Sequence, residues 1–587
     1  MVSAMSQVSK NILSEALAEA RPGYASAIFF SFFINLLALV GPLYMLQIYD
    51  RVISSRNVST LVALTAIAFV MLVVYGILDK VRSKILLSLG LLFDAKVRGS
   101  VFNTVARGTL LEPASGHSQA LRALDSVREF LIGSGPLAFC DAPWIPLFIA
   151  ACFILHVWFG LIATAGGVLI FALAIVNELF TRAHAKDAAR GNAAAANYAT
   201  ATVRNAEVLH AMGMLEALRE RWLTRQKWAL DRQAAAAARS GTFISAAKLV
   251  RTLLQVAILG AGAYLAIEQE VSPGAMIAAS IIMGRALAPV ETSVSNWSRF
   301  LAARAAYDGI ATLLRVIPAE PLRMRLPAPR GEISVENVSA VTPGGKHAVL
   351  ANISFSLQSG EVLGMIGPSA AGKSSLARVL VGVWRPVSGK MRIDGSDLSH
   401  WNIDQLGPHI GYLPQDVELF SGSVAENISR FGPFHEDKII AAAMSAGVHE
   451  MVQRLPEGYD TQIGEGGHAL SGGQRQRIGL ARALYGNPAF IVLDEPNANL
   501  DAEGEAALIA ALEQLRKNGQ TVVLITHKTS LLATVDRLLV LKGGKIHAFG
   551  TFDEVVSISG PAPNVSSESA TSKVPKVTSL GPVALAG

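Results

Sequence analysis

The sequence predicts an α-helical membrane domain of six spans followed by an α/β domain built around a phosphate-binding glycine loop. Three observations predict it. Long charge-free apolar runs are concentrated in the first half of the 587-residue chain. "EVLGMIGPSAAGKSSLARVL" reads as a hydrophobic strand, a glycine loop and a helix. "LSGGQRQRIGLARAL" places a serine and two glycines directly before a basic, helix-forming run. A chain of this length exceeds one compact core, so at least two domains are expected.

At 51% hydrophobic and 16% charged residues, the composition leans toward a membrane protein. Residues 22–49 and 57–78 carry no charge, and residues 142–177 give room for two crossings with a tight turn near 156–160. Stretches 244–267 and 273–290 complete six spans. Each has the length of about 20 residues that a crossing needs. Lys80, Arg82, Lys84 and further basic residues follow the second span, and Arg182, Lys186, Arg190 and others follow the fourth. The opposite loops are short and poor in Lys and Arg, so both basic segments and both termini are expected on the cytoplasmic face. Both segments read as helix and should carry the spans well beyond the membrane. Topology therefore accounts for the net charge of +6, and no nucleic-acid partner is needed. Membrane lipid surrounds the spans.

The boundaries expected are a cytoplasmic segment at 1–23, a membrane domain at 24–315, a nucleotide-binding domain at 331–556 and a tail at 557–587. The tail is rich in Ser, Pro and Gly and is expected to be disordered. The start shows no cleavable signal pattern, so the first span is expected to act as the insertion signal. Cys140 and Cys152 suit a buried helix better than a disulfide or a metal site.

The glycine loop matches G-x-x-x-x-G-K-[ST] at Gly367, Gly372, Lys373 and Ser374, in the strand–loop–helix setting that this motif requires. The stretch Gly367, Pro368, Ser369, Ala370, Ala371, Gly372, Lys373, Ser374 and Ser375 would wrap nucleotide phosphates. Lys373 would reach the β and γ groups, and Ser374 would supply a ligand to Mg²⁺. "AFIVLDEP" is a buried strand ending at Asp494 and Glu495. There the first acid fits a second Mg²⁺ anchor and the next can polarise an attacking water. "TVVLITHK" ends on His527, and "IGYLPQDVELF" contains Gln415. Strand ends of one sheet gather at its carboxyl edge, where nucleotides bind. In the Ser471–Gly472–Gly473 stretch, a helix start leaves N–H groups unpaired and favours an anion. The plain alternative is a serine cap on a surface helix.

In this order and spacing the residues resemble the ATP-binding cassette family, along nearly the whole chain. The resemblance implies that Ser471, Gly472, Gly473 and Gln474 form the signature motif. Ser471 and Gly473 would then touch the γ-phosphate of ATP held by residues 367–375 of a second subunit. It also implies that Gln415 is the Q-loop residue and a Mg²⁺ ligand beside Ser374 and Asp494. Glu495 would be the general base, Asp501 the D-loop acid and His527 the switch histidine. One set of motifs per chain implies a homodimer with two composite sites. The sequence departs from the family in one place. "AVTPGG" has Val341 and Thr342 where an aromatic ring usually stacks on adenine, so base recognition is expected to be loose.

"VGPLYMLQIYDRVISSRN", "DAPWIPLFIA" and "GAMIAASIIMGRALAPVE" resemble the type I secretion exporters of the alkaline-protease kind. That resemblance implies a protein of the bacterial inner membrane that exports unfolded proteins with a C-terminal signal. Its partners would be a periplasmic membrane-fusion adaptor, an outer-membrane channel and the secreted substrate. "RNAEVLHAMGM" would contact the nucleotide domain. The short segment before the first span leaves no room for the N-terminal peptidase-like domains of related exporters. A lipid or small-molecule exporter on the same scaffold is the alternative, and a non-transport role such as an ATP-gated channel is a third reading.

Arg285 is the one charge inside the sixth span, about 18 Å along it from residue 273 at 1.5 Å per residue. It either faces a wet cavity or snorkels to the surface. Asp141 and Lys248, nearer span ends, are expected to snorkel.

Overall fold

The computed structural model describes residues 2–112, 119–317, 323–345, 347–467 and 469–559, and the chain divides into two units near residue 320. In the first unit, α1 (Val2–Leu37), α2 (Val40–Gln47), a π turn at Ile48–Val52 and α3 (Ile53–Ser55) make the first crossing. The second is α4 (Val58–Leu111), followed by α5 (Gln119–Ile132). The third joins α6 (Ser134–Asp141) to α7 (Ile145–Leu155), and α8 (Val157–Val203) is the fourth. Then come α9 (Ala206–Ala211), α10 (Leu215–Ile267), α11 (Pro273–Ser295) and α12 (Trp297–Val316). Among the described residues, six helices are long and apolar enough to cross a membrane, the number expected. With 54, 47 and 53 residues, α4, α8 and α10 reach about 70–80 Å at 1.5 Å per residue. A hydrocarbon core is only about 30 Å thick, so these helices continue far outside it.

Small residues let α8 and α10 approach closely. Gly166 lies under Leu254 and Gly191 under Trp228, while Ala163, Ala195, Ala236 and Ala247 are buried. Without a hydrophobic force between helices in lipid, such close packing is what holds them together. The most apolar window of α4 is only 6% buried within the chain. Two of the stretches that carried the family resemblance meet at the start of α11. Asp50 in the π turn accepts from Ser272 Oγ at 2.5 Å and from the Gly274 N–H at 3.0 Å. A Cβ on Gly274 would stand 2.5 Å from Asp50 Oδ1. Cys140 and Cys152 are free and buried on their helices.

One reading of charge is corrected. Asp141 does not snorkel from a span end, because α6 carries the third crossing back to Ser134. Its carboxylate takes Arg82 Nη1 at 2.5 Å and Asn35 Nδ2 at 3.0 Å. Arg82, expected among the cytoplasmic basic residues, is 5% exposed. Pairing removes the cost of carrying either charge inward. Lys248 is exposed.

The second unit holds two sheets. The strands are β1 (Ile333–Val341), β2 (Ala348–Leu357), β3 (Val362–Ile366), β4 (Ser388–Ile393) and β5 (Ser396–Asp397). They continue with β6 (Ile410–Leu413), β7 (Phe490–Asp494), β8 (Thr521–Ile525), β9 (Arg537–Lys542) and β10 (Lys545–Gly550). One sheet runs β2-β1-β4-β5 and the other β10-β9-β3-β8-β7-β6. Every residue of β7 and β8 is buried, as expected for parallel strands covered on both faces. Ile525 of β8 is in register with Asp494 of β7 on one side and Met365 of β3 on the other. The glycine loop after β3 and the acids after β7 therefore leave the same edge, two strand spacings or about 10 Å apart. The last helix runs Phe552–Ser559. It passes residue 557, where the tail was expected to begin, and residues 560–587 lie outside the described residues.

Candidate nucleotide site

The loop between β3 and the helix Lys373–Leu380 is shaped by backbone that only glycine allows. Gly372 caps the helix at φ +99°, and a Cβ there would press on Leu350 and the Val349 carbonyl. A Cβ on Gly367, at φ +152°, would stand 2.2 Å from the Leu541 carbonyl. Lys373 is 7% exposed. Its Nζ donates to the carbonyls of Gly367 at 2.7 Å and Pro368 at 3.1 Å, which fixes the ammonium at the centre of the loop. Ala370 takes φ +63° without being glycine, a strained conformation that clusters at ligand-binding turns.

Asp494 is 2% exposed, and its Oδ1 has no hydrogen-bond partner. Burial pushes its carboxyl above the ordinary carboxylate range, an effect opposed by the Ser374 hydroxyl and the nearby Arg378 and Lys373. A buried carboxylate oxygen without a donor is costly, and a divalent cation would meet it. The Asp494 carboxylate, the Ser374 hydroxyl and the Gln415 amide are oxygen donors of the kind Mg²⁺ takes. The residues fit the ion.

Glu495 carries the strain of this turn, with φ +51°. Both of its main-chain polar groups are held. Its N–H donates to the Ile525 carbonyl at 3.0 Å, and its carbonyl accepts from Gln476 Nε2 at 3.0 Å. Its carboxylate accepts from Gln415 Nε2 at 3.1 Å, and His527 Nε2 stands 3.9 Å from the other oxygen. Gln415, Glu495 and His527, far apart in sequence, are thus brought together.

The signature stretch keeps both of its readings. Ser471 caps the helix Gly472–Leu484 in a reciprocal box, its Oγ accepting from the Gln474 N–H at 3.2 Å while Gln474 Oε1 takes the Ser471 N–H at 2.8 Å. The hydroxyl proton stays available to donate to an anion. Gly473 must be glycine, because a Cβ would lie 2.7 Å from the Asn499 carbonyl. Asp501 caps the helix Ala502–Lys517 through the Gly504 N–H at 2.9 Å and takes Arg477 Nη2 at 3.2 Å. Those donors hold its carboxyl below the usual range, the Gly504 N–H first.

Sequence reasoning missed Gln476. It is 3% exposed and also accepts the Asn499 N–H at 3.0 Å, so it ties the signature helix to both the turn at Glu495 and the loop after it. Its signal was present: Gly472, Gln476, Gly479 and Ala483 share one helix face, and an amide among such small residues belongs at a close backbone approach.

Residues 24–289 match the ABC transporter transmembrane region, and residues 350–498 match ABC transporter. The type I secretion system ATP-binding protein PrsD of Rhizobium meliloti is 41% identical over 92% of this chain and 93% of its own. The chain belongs to the type I secretion branch of the ABC transporters. Within that branch, the alpha-hemolysin translocation ATP-binding protein HlyB of Escherichia coli is 29% identical over 90% of this chain and 75% of that protein. A bacterial Atm1-family ABC exporter solved with ATP bound shares the fold, with a TM-score of 0.77 at 23% identity over 92% of this chain and 97% of that one. This ABC transporter is accordingly an ATPase coupled to transport, and it spans a membrane several times.

Proposed function

We propose that this transporter works as a homodimer in the bacterial inner membrane, with its cassette on the cytoplasmic side. It moves unfolded proteins bearing a C-terminal signal through a periplasmic membrane-fusion adaptor and an outer-membrane channel. The observation that carries this reading is the likeness to a type I secretion ATP-binding protein along nearly all of both chains.

ATP is the substrate of the cassette. The loop of residues 367–375 takes its β and γ phosphates, with Lys373 as the central cation. Mg²⁺, held by Asp494, Ser374 and Gln415, neutralises phosphate charge when bound. Glu495 accepts the proton of the attacking water, its carboxylate aimed by Gln415 and its main chain pinned by Gln476. His527 shares that edge and orients the γ-phosphate side of the site. Ser471 donates its hydroxyl to the γ-phosphate in the partner subunit's loop, so hydrolysis requires two chains. Asp501 lies on the loop that follows.

The test is export in cells that also contain the adaptor and the outer-membrane channel, following a C-terminal-signal protein in the medium. Secretion that depends on Glu495 is expected. If no protein moves with both partners present, while purified transporter flips lipid in vesicles, the lipid-exporter reading replaces this one.

A further inference from the structure

Beside the sixth span lies a cavity of about 170 Å³ with polar and charged side chains in its wall. Asn35 reaches it from α1, Arg82 from α4, Ser134 and Asp141 from α6, and Arg285 and Thr292 from α11. Three charged side chains line it, Arg82, Asp141 and Arg285, and the first two are paired with each other. Arg82 Nη2 donates to Asp79 at 2.7 Å, and its Nη1 donates to Asp141 at 2.5 Å and to Ser31 Oγ at 2.9 Å. Asn35 adds a bond to Asp141 at 3.0 Å. Arg285 is different. It is exposed to the open space, and no carboxylate or carbonyl among the described residues accepts from it.

We propose that this cavity is a carboxylate-binding site, with Arg285 as its anchor, for an acidic side chain or the chain-end carboxylate of the exported polypeptide. The proposal rests on the export reading above. An unpaired arginine about 18 Å along a membrane helix is costly unless water or an anion meets it. Its planar fork of donors matches a carboxylate in two parallel bonds. The size selects a small group, since the volume is below the roughly 300–1,000 Å³ of sites that enclose a drug-sized molecule. The four charges of Arg82, Asp79, Asp141 and Arg285 sum to zero, so Arg285 offers a local donor fork rather than a net positive site, and a doubly charged guest would meet the repulsion of Asp141 more strongly than a single carboxylate.

The test is direct binding to the full-length protein in phosphatidylcholine nanodiscs, read by fluorescence anisotropy. The probes are a labelled Ser–Glu peptide with a free carboxyl end and its Ser–Gln, C-amidated counterpart. The acidic peptide should bind about tenfold tighter or more. Arg285→Gln should abolish the preference, and Arg285→Lys should keep part of it. Asp141→Asn should increase the preference several-fold, because it removes the nearest competing negative charge. Those opposite signs separate a binding role from a structural one, and Asp141→Asn keeps the test alive if Arg285→Gln does not fold. Equal binding of the two peptides, or a preference that survives Arg285→Gln, overturns the proposal. A preference that disappears when phosphatidylglycerol replaces phosphatidylcholine assigns the cavity to a lipid headgroup and also overturns it. Cells that secrete cargo while the peptides bind equally would refute the cavity assignment and leave the export reading standing. Carboxylate-selective binding without any protein export would do the reverse.

Discussion

Gln476 donates its side-chain N–H to the main-chain carbonyl of Glu495 at 3.0 Å, while its oxygen accepts from the Asn499 N–H at 3.0 Å. One buried amide thus joins the helix that opens with the signature glycines to the residue assigned as general base. The φ of +51° at Glu495 persists because both of its main-chain groups are held.

Gln476→Ala should therefore lower kcat by about tenfold or more with little change in the KM for ATP. It removes the side-chain donor to the Glu495 carbonyl, which keeps only the Ala498 N–H, and the acceptor of the Asn499 N–H, and so loosens the turn that holds Glu495 without touching a phosphate contact. Gln476→Glu keeps the acceptor for Asn499 and loses the donor to Glu495, so it should remain impaired. A variant whose KM rises while kcat holds would move Gln476 to the binding side of the site.

Glu495→Gln should bind ATP and hydrolyse it about 10²–10⁴-fold more slowly, the usual worth of a positioned general base. The contacts of Lys373 and Ser374 are untouched, so ATP should trap two cassettes together, visible as a larger species on gel filtration. Near-normal turnover in the purified variant would remove Glu495 from the role of base.

Asp494 gives a pH dependence whose sign is set by its raised carboxyl. The folded chain holds this proton to higher pH than the unfolded chain, whose Asp titrates near about 3.9. Stability from this group is therefore lost as pH rises from about 4 through the raised folded value, and it does not return at pH 7. In nucleotide-free protein, Asp494→Asn should flatten that fall in Tm and melt no lower than wild type at pH 8. Saturation of wild type with ATP and Mg²⁺ at 100 times Kd is worth about 2.7 kcal/mol, and the variant should lose most of that shift. An unchanged shift would mean that Asp494 does not hold the ion.

Thr342 and His347 are both exposed on the loop between β1 and β2, and β2 backs onto Gly372 through Val349 and Leu350. GTP should then support hydrolysis within about tenfold of ATP in kcat/KM, because phosphate contacts do not distinguish the bases. Thr342→Tyr should tighten ATP binding, since stacking on a ring is worth about 1–3 kcal/mol. A strong preference of the native protein for ATP would place base recognition on another side chain.

Read alone, the sequence determined the features whose physics is local. The six spans follow from apolar length, and the structure holds six such helices. The glycine loop follows from a strand, a turn that needs Gly367 and Gly372, and a helix, all within residues 361–380. Only the tertiary structure decided which distant groups meet. Asp141 and Arg82 are 59 residues apart, one read as a charge near a span end and the other as part of the basic segment after the second span, until the packing of both helices against α1 brought them together. Asp50 and Ser272 are 222 residues apart. The partners of Gln476 depended on the helix packing beneath β7. Hydropathy and spacing record what a segment can do by itself. Whether a buried charge or amide finds its partner depends on which elements fold against one another, and that choice is made by the packing of the whole chain.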